Sequence, residues 1–161
     1  MWRTIALGAG GVGVALAAVW VLFMLGMRAQ YTPLLDAVRR MNRTAINPRA
    51  MKTAGRPGAH ASVVRHVGRT SGTAYATPVV ARPTAAGFVI VLPYGTRADW
   101  LKNVVAAGRA TIVHDGATTA VDRPQVLPVA AADAWFSRRE QRNHRRYGVD
   151  RVLTVRRAAA A

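Results

Sequence analysis

The sequence predicts a mainly β protein with helices (the α+β class), built as a small barrel-like sheet with helical cover behind one apolar N-terminal helix. Three observations predict this class. A long run near the N-terminus carries no charge, short apolar segments bounded by Gly- and Pro-containing turns follow from about residue 60, and two later segments are predicted to be helical. Mostly antiparallel strands interrupted by two helices are typical of such a sheet.

The chain is predicted to divide into a transmembrane helix (residues 4–27), a membrane-proximal amphipathic helix and linker (28–59), and a folded domain (60–157). The first segment has no charged side chain, and a helix of its length spans about 36 Å, against about 30 Å for a bilayer core. A signal peptide is the alternative. Its apolar core is usually only about 7–15 residues and ends in a small-x-small cleavage site, whereas this run ends in Leu25-Gly26-Met27-Arg28.

The charges that flank the apolar segment predict its orientation. The positive-inside rule places the more basic flank in the cytoplasm. Only Arg3 precedes the segment, whereas four arginines follow it closely, at positions Arg28, Arg39, Arg40 and Arg43. We therefore expect a single-pass protein of the cell membrane with its C-terminal domain in the cytoplasm.

The composition of the chain limits the classes of partner and of site that it can have. The formal net charge is +16, from 23 basic and 7 acidic residues, and Lys52 and Lys102 are the only lysines. So many guanidinium groups imply an anionic partner: lipid headgroups, nucleic acid or a polyanionic cofactor. The chain has no cysteine, which excludes a disulfide framework, a thiol nucleophile and a thiolate metal site.

The segment 28–59 begins with an amphipathic pattern. Apolar residues recur at helical spacing opposite the arginines, which predicts a short helix lying on the lipid headgroups. Asn47-Pro48 and the Gly- and Pro-rich residues 55–58 are predicted to end it. The apolar positions are Leu34, Leu35, Val38 and Met41.

The folded domain is predicted from alternating apolar runs and turn residues. Residues 97–107 have the apolar stripe of a helix, and Gly108 is a plausible residue to end it. A second helix is predicted over residues 129–147. Strands are predicted over 61–67, 74–82, 88–92, 110–114, 118–121, 125–127 and 149–155.

The turn that begins at Gly68 is rich in hydrogen-bond donors. Gly68 and Gly72 bracket Arg69, Thr70 and Ser71. Such a turn suits a phosphate or a carboxylate, because it can present a guanidinium, two hydroxyls and backbone N–H groups together. The alternative is an ordinary hairpin turn with a solvated arginine.

No catalytic constellation is recognisable in the sequence. The histidines (His60, His66, His114 and His144) lack metal-ligand spacing, no serine has a nucleophile-elbow context, and the acidic residues are scattered. No metal is therefore predicted. Such a chain is either a binding protein or an enzyme whose cofactor supplies the chemistry.

Residues 63–155 resemble the deazaflavin-dependent nitroreductase family, the actinobacterial oxidoreductases that use coenzyme F-420. The resemblance depends on the order and spacing of four features: the Gly-Arg-x-Ser-Gly turn, Thr77-Pro78, an apolar strand ending at Tyr94-Gly95, and Trp100-x-x-Asn103 followed by Ala-x-Gly. It implies a split β-barrel like that of FMN-binding pyridoxamine-phosphate-oxidase proteins. It also implies F-420 (an 8-hydroxy-5-deazaflavin) as the cofactor in preference to FMN.

The resemblance implies a role for each matching residue. Those of the turn face the phosphate and oligoglutamate tail of the deazaflavin, and the others lie along or beside its ring system. In chain order they are Arg69, Thr70, Ser71, Thr77, Pro78, Tyr94, Gly95, Trp100 and Asn103. Trp100 can equally anchor its helix in the core, and Asn103 can equally satisfy a strand edge.

Two positions depart from the family pattern. Thr70 and Tyr75 stand where the family commonly has basic residues. Three cations elsewhere are candidates to compensate: Arg65, Arg97 and Lys102.

The implied activity is hydride transfer from reduced F-420 to a quinone-like or nitro-containing acceptor, and the membrane anchor favours a lipid-soluble quinone. The acceptor also needs a proton, which Tyr94 or Tyr147 can relay, although plain packing explains either tyrosine. The alternative function is a non-catalytic split-barrel protein that binds a fatty acyl or other lipid ligand at the membrane. A homodimer is compatible with the fold.

The second predicted helix carries five arginines. Three of them repeat at four-residue spacing, so like charges face each other and weaken an isolated helix. Opposing anions relieve this repulsion, and anionic membrane lipid is the expected partner. A solvated face is the alternative, and no nucleic-acid recognition motif is present. The arginines are Arg138, Arg139, Arg142, Arg145 and Arg146.

Overall fold

The computed structural model describes residues 2–159, with side chains described from residue 14 onward. Helix α1 spans Trp2–Arg28. Within the described residues, no single helix has the length and apolar content to cross a bilayer. Segments 14–28 and 32–50 have that length and apolar content only when they are taken together, and the pair is bent by 103°. The side chains of residues 4–13 in the predicted transmembrane segment lie outside the described residues.

The connector after α1 is more helical than predicted. Helix α2 (Thr32–Met41) continues through a π-helical turn (Asn42–Ile46) into helix α3 (Asn47–Ala50), so the predicted break at Asn47-Pro48 is wrong. Pro48 lacks the N–H that a regular helix needs. The chain accommodates it next to the wider turn, in which Asn47 N–H donates to Asn42 O.

The apolar face of α2 is turned towards the protein. Leu35 and Val38 are buried, with 3% and 8% of their surface exposed. The face that was expected to lie on lipid headgroups is therefore covered by protein at these two positions. As a consequence, the polar face of the same helix is available to line a cavity.

Seven antiparallel strands form one sheet that curls into a half-barrel, in the order β2-β1-β5-β6-β7-β4-β3. The predicted strand 74–82 is two strands, interrupted at Val80, that lie at opposite edges of the sheet. The strands are β1 (Ser62–Val67), β2 (Ala74–Val79), β3 (Ala81–Pro83), β4 (Gly87–Val91), β5 (Arg109–His114), β6 (Ala117–Pro128) and β7 (Arg151–Arg157).

Two further predictions about elements need correction. The predicted strands 118–121 and 125–127 are one strand, β6, whose register shifts between Asp122 and Gln125. The predicted helix 129–147 is a 3-10 helix (Val129–Trp135) followed by helix α5 (Arg138–Tyr147). Ser137 separates them because its hydroxyl accepts from the Glu140 N–H, and the Glu140 carboxylate accepts from the Ser137 N–H in return.

The core lies on both faces of the sheet. On one face, Leu101 and Val104 of helix α4 (Asp99–Ala107) pack with strand residues such as Ile90 and Leu153. On the other face a smaller cluster is formed by Val89, Ala132, Phe136 and Val152. Helix α4 is thereby fixed beside β1 and β5, and Gly108 ends it in the left-handed conformation as predicted (φ 66°).

Candidate functional site

A cavity of about 910 Å³ lies between four parts of the chain. The α2–α3 segment forms one wall, and the turn between β1 and β2 together with β2 forms another. The residues that precede α4 and its first turns complete the lining. The volume lies in the range of small-molecule and cofactor sites, which is about 300–1,000 Å³.

The β1–β2 turn is closed by its own backbone. Gly68 N–H donates to Thr73 O (2.8 Å), and Gly72 N–H donates to Gly68 O (2.9 Å). Gly72 takes φ 67°, which favours glycine. A Cβ at Gly68 would lie 2.5 Å from Ser71 Oγ and 2.9 Å from a ring carbon of Tyr75. The two glycines therefore determine the shape of the turn.

Arg69 is held against α4 and does not extend freely from the turn. Its backbone N–H and its Nη1 donate to Asn103 Oδ1 over 3.2 Å and 2.9 Å, and its Nη2 lies 3.2 Å from Asp99 Oδ1. The Arg69 side chain keeps 35% of its surface exposed. The turn and α4 thus form one rigid wall with a partly accessible guanidinium.

A buried histidine extends this network. Asn103 uses its oxygen for Arg69, so its Nδ2 donates to His66 Nδ1 (3.3 Å). The remaining ring nitrogen of His66 therefore carries the proton and donates to Thr77 Oγ1 (3.1 Å). A continuous chain of hydrogen bonds runs from Arg69 through Asn103 and His66 to Thr77.

The His66 ring is neutral in this network. Burial lowers the pKa of His66 below its ordinary value, and the ring stacks on that of Tyr75 with 5.7 Å between centroids. His66 was not among the site residues predicted from the sequence. Strand alternation was the available signal, because His66 follows Ser62 and Val64 on the same face of β1 and both are buried.

The α2 helix is attached to the site through Arg39. The Arg39 guanidinium donates to Tyr94 O (2.5 Å) and to Asp36 Oδ1 (2.5 Å), and only 17% of the side chain is exposed. Tyr94 was predicted to form a wall beside the ring system. Arg39 fixes its backbone to the N-terminal helical segment.

The cavity brings together most of the site residues predicted from the sequence. Gly95 lines a smaller cavity of about 320 Å³, to which Arg39 also contributes. Tyr147 lies at the end of α5, is 40% exposed and lines neither cavity. The predicted residues in the lining of the large cavity are Arg69, Thr70, Ser71, Thr77, Pro78, Tyr94, Trp100 and Asn103.

Basic side chains outnumber acidic ones in the lining. Of the predicted compensating cations, Arg97 and Lys102 line the cavity and Arg65 does not. Asp36 and Asp99 are the acidic lining residues, and each bonds to an arginine. The basic lining residues are Arg39, Arg40, Arg43, Arg69, Arg97 and Lys102.

Trp100 has two surroundings. It lines the cavity and also packs against the apolar core cluster beside Leu101. Trp100 is therefore a core anchor of its helix that also reaches the cavity. Among the described residues, no group of three His, Asp or Glu side chains is arranged to hold a metal ion.

No protein-family model and no curated protein matches the chain. Among the solved structures that match the chain, one is similar with a TM-score of 0.42 and 12% sequence identity, over 74% of this chain and 81% of its own. A similarity as low as this assigns neither a family nor a function to the chain. The interpretation of the cavity therefore depends on its own residues.

Proposed function

We propose that the protein is a membrane-anchored oxidoreductase that transfers a hydride from reduced coenzyme F-420 to a quinone-like or nitro-containing acceptor. The single observation that supports this most is the convergence of the matched motifs. Residues from the turn, β2, the loop between β4 and α4, and α4 itself line one cavity. They are up to 34 positions apart in the chain, from Arg69 to Asn103, so their convergence does not follow from sequence proximity.

The lining fits the two chemical parts of the coenzyme. A flat ring system needs an apolar slot with a few orienting polar groups, and Pro78, Trp100 and the Thr77 hydroxyl are of that kind. A phosphate and oligoglutamate tail needs cations, and six basic side chains line the cavity. The observed sheet is a half-barrel. We propose that it belongs to the more specific split β-barrel fold of FMN-binding proteins.

The bound deazaflavin supplies two-electron hydride chemistry. The residues of the chain are proposed to position the ring of the coenzyme and to donate a proton to the acceptor. Thr77 and Trp100 are proposed to orient the ring, and His66 holds the Thr77 oxygen in place with its N–H. Tyr94 is the proposed proton donor to the acceptor oxygen, because it lines the cavity and Tyr147 does not.

The described part of α1 supports a membrane anchor. Most of its apolar side chains from Val14 to Leu25 are exposed, several of them by more than half of their surface, and Met24 is the buried exception in this range. An apolar surface of this kind requires a cover of lipid or protein. A bilayer cover agrees with the uncharged N-terminal run and with a lipid-soluble quinone as the acceptor.

The charge of the cavity argues against the alternative function. A fatty acyl chain needs an apolar lining, whereas this lining carries six basic side chains. Thr70 and Tyr75 stand where the family pattern has cations, and a site without those cations would favour a lipid ligand. Arg40 and Arg43 supply cations from another part of the chain, so this argument for a lipid ligand is weakened.

Coenzyme binding tests the proposal. The full chain is used, because α2 and α3 line the cavity, and tryptophan fluorescence is followed on titration with F-420 and separately with FMN. We expect saturable quenching by F-420, with a loss of affinity of roughly tenfold in Arg69→Ala, which corresponds to about 1.4 kcal/mol. Arg65→Ala is the matched control, since Arg65 lies on β1 but does not line the cavity.

Turnover is then measured as oxidation of reduced F-420 by a menaquinone analogue and by a nitroaromatic compound. Oxidation that requires the protein and is slowed in Tyr94→Phe supports the reaction and the role of Tyr94. A folded protein that shows no quenching by F-420 contradicts the proposed function. Quenching without turnover with any acceptor contradicts the enzymatic part alone.

A further inference from the structure

We infer that Arg40 and Arg43 form a binding site for the polyanionic end of the ligand, and this inference rests on the proposed function. The two residues, called here the arginine wall, belong to the N-terminal helical segment. The predicted anion-binding residues are those of the β1–β2 turn. The structure therefore assigns the tail of the coenzyme to a part of the chain outside the region of resemblance.

The spacing of the lining residues explains how one helix face reaches the cavity. Asp36, Arg40, Arg43, Asn47 and Met51 all line it, and they follow each other at intervals of three or four residues. Such intervals place side chains on one face of a helix. The π-helical turn at 42–46 lies in the middle of this series and carries Arg43. Turns of this kind occur frequently at functional sites.

The position of this face is fixed by the packing of the rest of the helix. Leu35 and Val38 are buried, and Arg39 bonds to the Tyr94 carbonyl. The arginine wall therefore has a defined place in the lining of the cavity.

The charges of the arginine wall have no partners among the described residues. Arg40 and Arg43 form no salt bridge there, and neither do Arg97 and Lys102 on the other side of the cavity. The acidic lining residues are already bonded to Arg39 and Arg69. Four basic groups around one cavity repel each other, and an anionic ligand removes that cost.

The arrangement favours an extended ligand with several negative charges. The basic groups belong to different elements around one cavity of about 910 Å³, Arg40 and Arg43 to the N-terminal helical segment and Arg97 and Lys102 to the region of α4. An extended chain of carboxylates can contact both pairs. Arg40 and Arg43 thereby replace the cations that Thr70 and Tyr75 do not provide.

The test compares three ligands that share one ring system. They are the deazaflavin without phosphate or glutamate, F-420 with one glutamate, and F-420 with five glutamates, each titrated into the full chain by tryptophan fluorescence. For the wild type we expect affinity to increase with each step. In Arg40→Gln/Arg43→Gln, we expect affinity for the five-glutamate form to fall by roughly tenfold or more, and affinity for the tail-free compound to change by less than about twofold.

A matched control removes the same charge elsewhere. Arg49→Gln/Arg56→Gln changes two exposed arginines nearby that do not line the cavity, and we expect wild-type affinities for all three ligands. The difference between the two double variants should shrink at high salt, because exposed charges are screened.

The outcomes separate the inference from the proposed function. If F-420 binds and the arginine-wall variant keeps its preference for long tails, the inference is overturned and the proposed function stands. An equal loss for the tail-free compound overturns it as well, because the arginines then act on the fold of the site. If none of the three ligands binds to the wild type, both the proposed function and the inference are overturned.

Discussion

The side-chain amide of Asn103 donates a hydrogen bond to Nδ1 of His66 over 3.3 Å, and both residues are more than nine-tenths buried. The same amide accepts from the backbone and the guanidinium of Arg69. One side chain on α4 therefore joins the buried face of β1 to the turn that follows it. The shape of the cavity depends on this connection.

We expect Asn103→Leu to destabilise the protein by about 2–3 kcal/mol, because it leaves the buried His66 Nδ1 and the partly buried Arg69 N–H without their partner. Urea unfolding of the full chain in detergent, followed by tryptophan fluorescence, measures the change. Asn143→Leu on the exposed side of α5 is the control, with an expected change within about 0.5 kcal/mol. Equal midpoints for the two variants contradict the connecting role of Asn103.

The stability should depend on pH through His66. Burial lowers the pKa of His66 below its ordinary value of 6.5, so the unfolded chain binds this proton more readily than the folded one. The stability contributed by neutral His66 is therefore fully present above about pH 6.5 and is lost as the pH falls through the lower pKa of the folded state. Protonation of Nδ1 also abolishes the bond from Asn103.

This pH dependence is measured by urea unfolding at several pH values between about 7.5 and 5. Burial also lowers the pKa of His144, so the informative quantity is the difference between the wild type and His66→Gln. We expect the wild type to lose more stability on acidification than the variant. Parallel pH profiles contradict the assigned state of His66.

The β1–β2 turn should not tolerate a side chain at Gly68. In Gly68→Ala the new Cβ meets Ser71 Oγ and the Tyr75 ring, so the turn or both side chains must move. We expect affinity for F-420 to fall by roughly tenfold, equivalent to about 1.4 kcal/mol. Gly58→Ala is the control. No atom lies within 4 Å of a Cβ added at Gly58, so this variant should show only the strain of a side chain at φ 71°, about 1–2 kcal/mol. Unchanged affinity in Gly68→Ala contradicts a role for the turn in binding.

Arg39 should hold the N-terminal helical segment against the site. In Arg39→Met the bonds to the Tyr94 carbonyl and to Asp36 are lost, so we expect residues 32–50 to open more often. Hydrogen–deuterium exchange of the full chain measures this, with roughly tenfold faster exchange expected in that segment, or about 1.4 kcal/mol of local stability. Arg49→Met, an exposed arginine on α3, is the control. Exchange rates that match the wild type contradict the anchoring role.

Local signals in the sequence predicted most of the sheet, and the family resemblance selected the residues of the β1–β2 turn, β2 and α4 that line the cavity. Gly108 ends α4 as predicted. Asp115-Gly116, a dipeptide typical of two-residue hairpin loops, joins β5 to β6 with both residues at positive φ. The family resemblance selected the residues of the turn, Thr77 and Asn103, and these residues converge in space although they lie up to 34 positions apart. The end of α4 and the β5–β6 hairpin are set by neighbours a few positions apart, whereas this convergence is not.

The wall of the cavity that the α2–α3 segment forms was not predictable from local signals in the sequence. The amphipathic pattern of Leu35 and Val38 shows that one face is buried, but lipid and protein are equally good apolar partners for it. Arg39 finds its partner 55 positions away at Tyr94. The π-helical turn that accommodates Pro48 has no local sequence signal comparable to a cap. Long-range packing determines these three features.

Helix α5 lies where the domain meets α1. The guanidinium of Arg146 lies over the Trp20 ring at 5.4 Å, and the five arginines of α5 are exposed. Tryptophan is typical of the headgroup level of membranes, so the arginines beside it should face anionic headgroups. In bilayers that contain phosphatidylglycerol, we therefore expect slower hydrogen–deuterium exchange in α5 than in pure phosphatidylcholine.

Replacement of Arg142, Arg145 and Arg146 by glutamine should remove this difference between the two lipids, because the attraction is worth about 1 kcal/mol for each basic residue near the surface. The matched control replaces three exposed arginines on the sheet by glutamine, at Arg65, Arg109 and Arg123. This control lowers the net charge equally and should keep the lipid dependence. Equal exchange of α5 in both lipids for the wild type indicates a solvated arginine face and contradicts contact with the membrane.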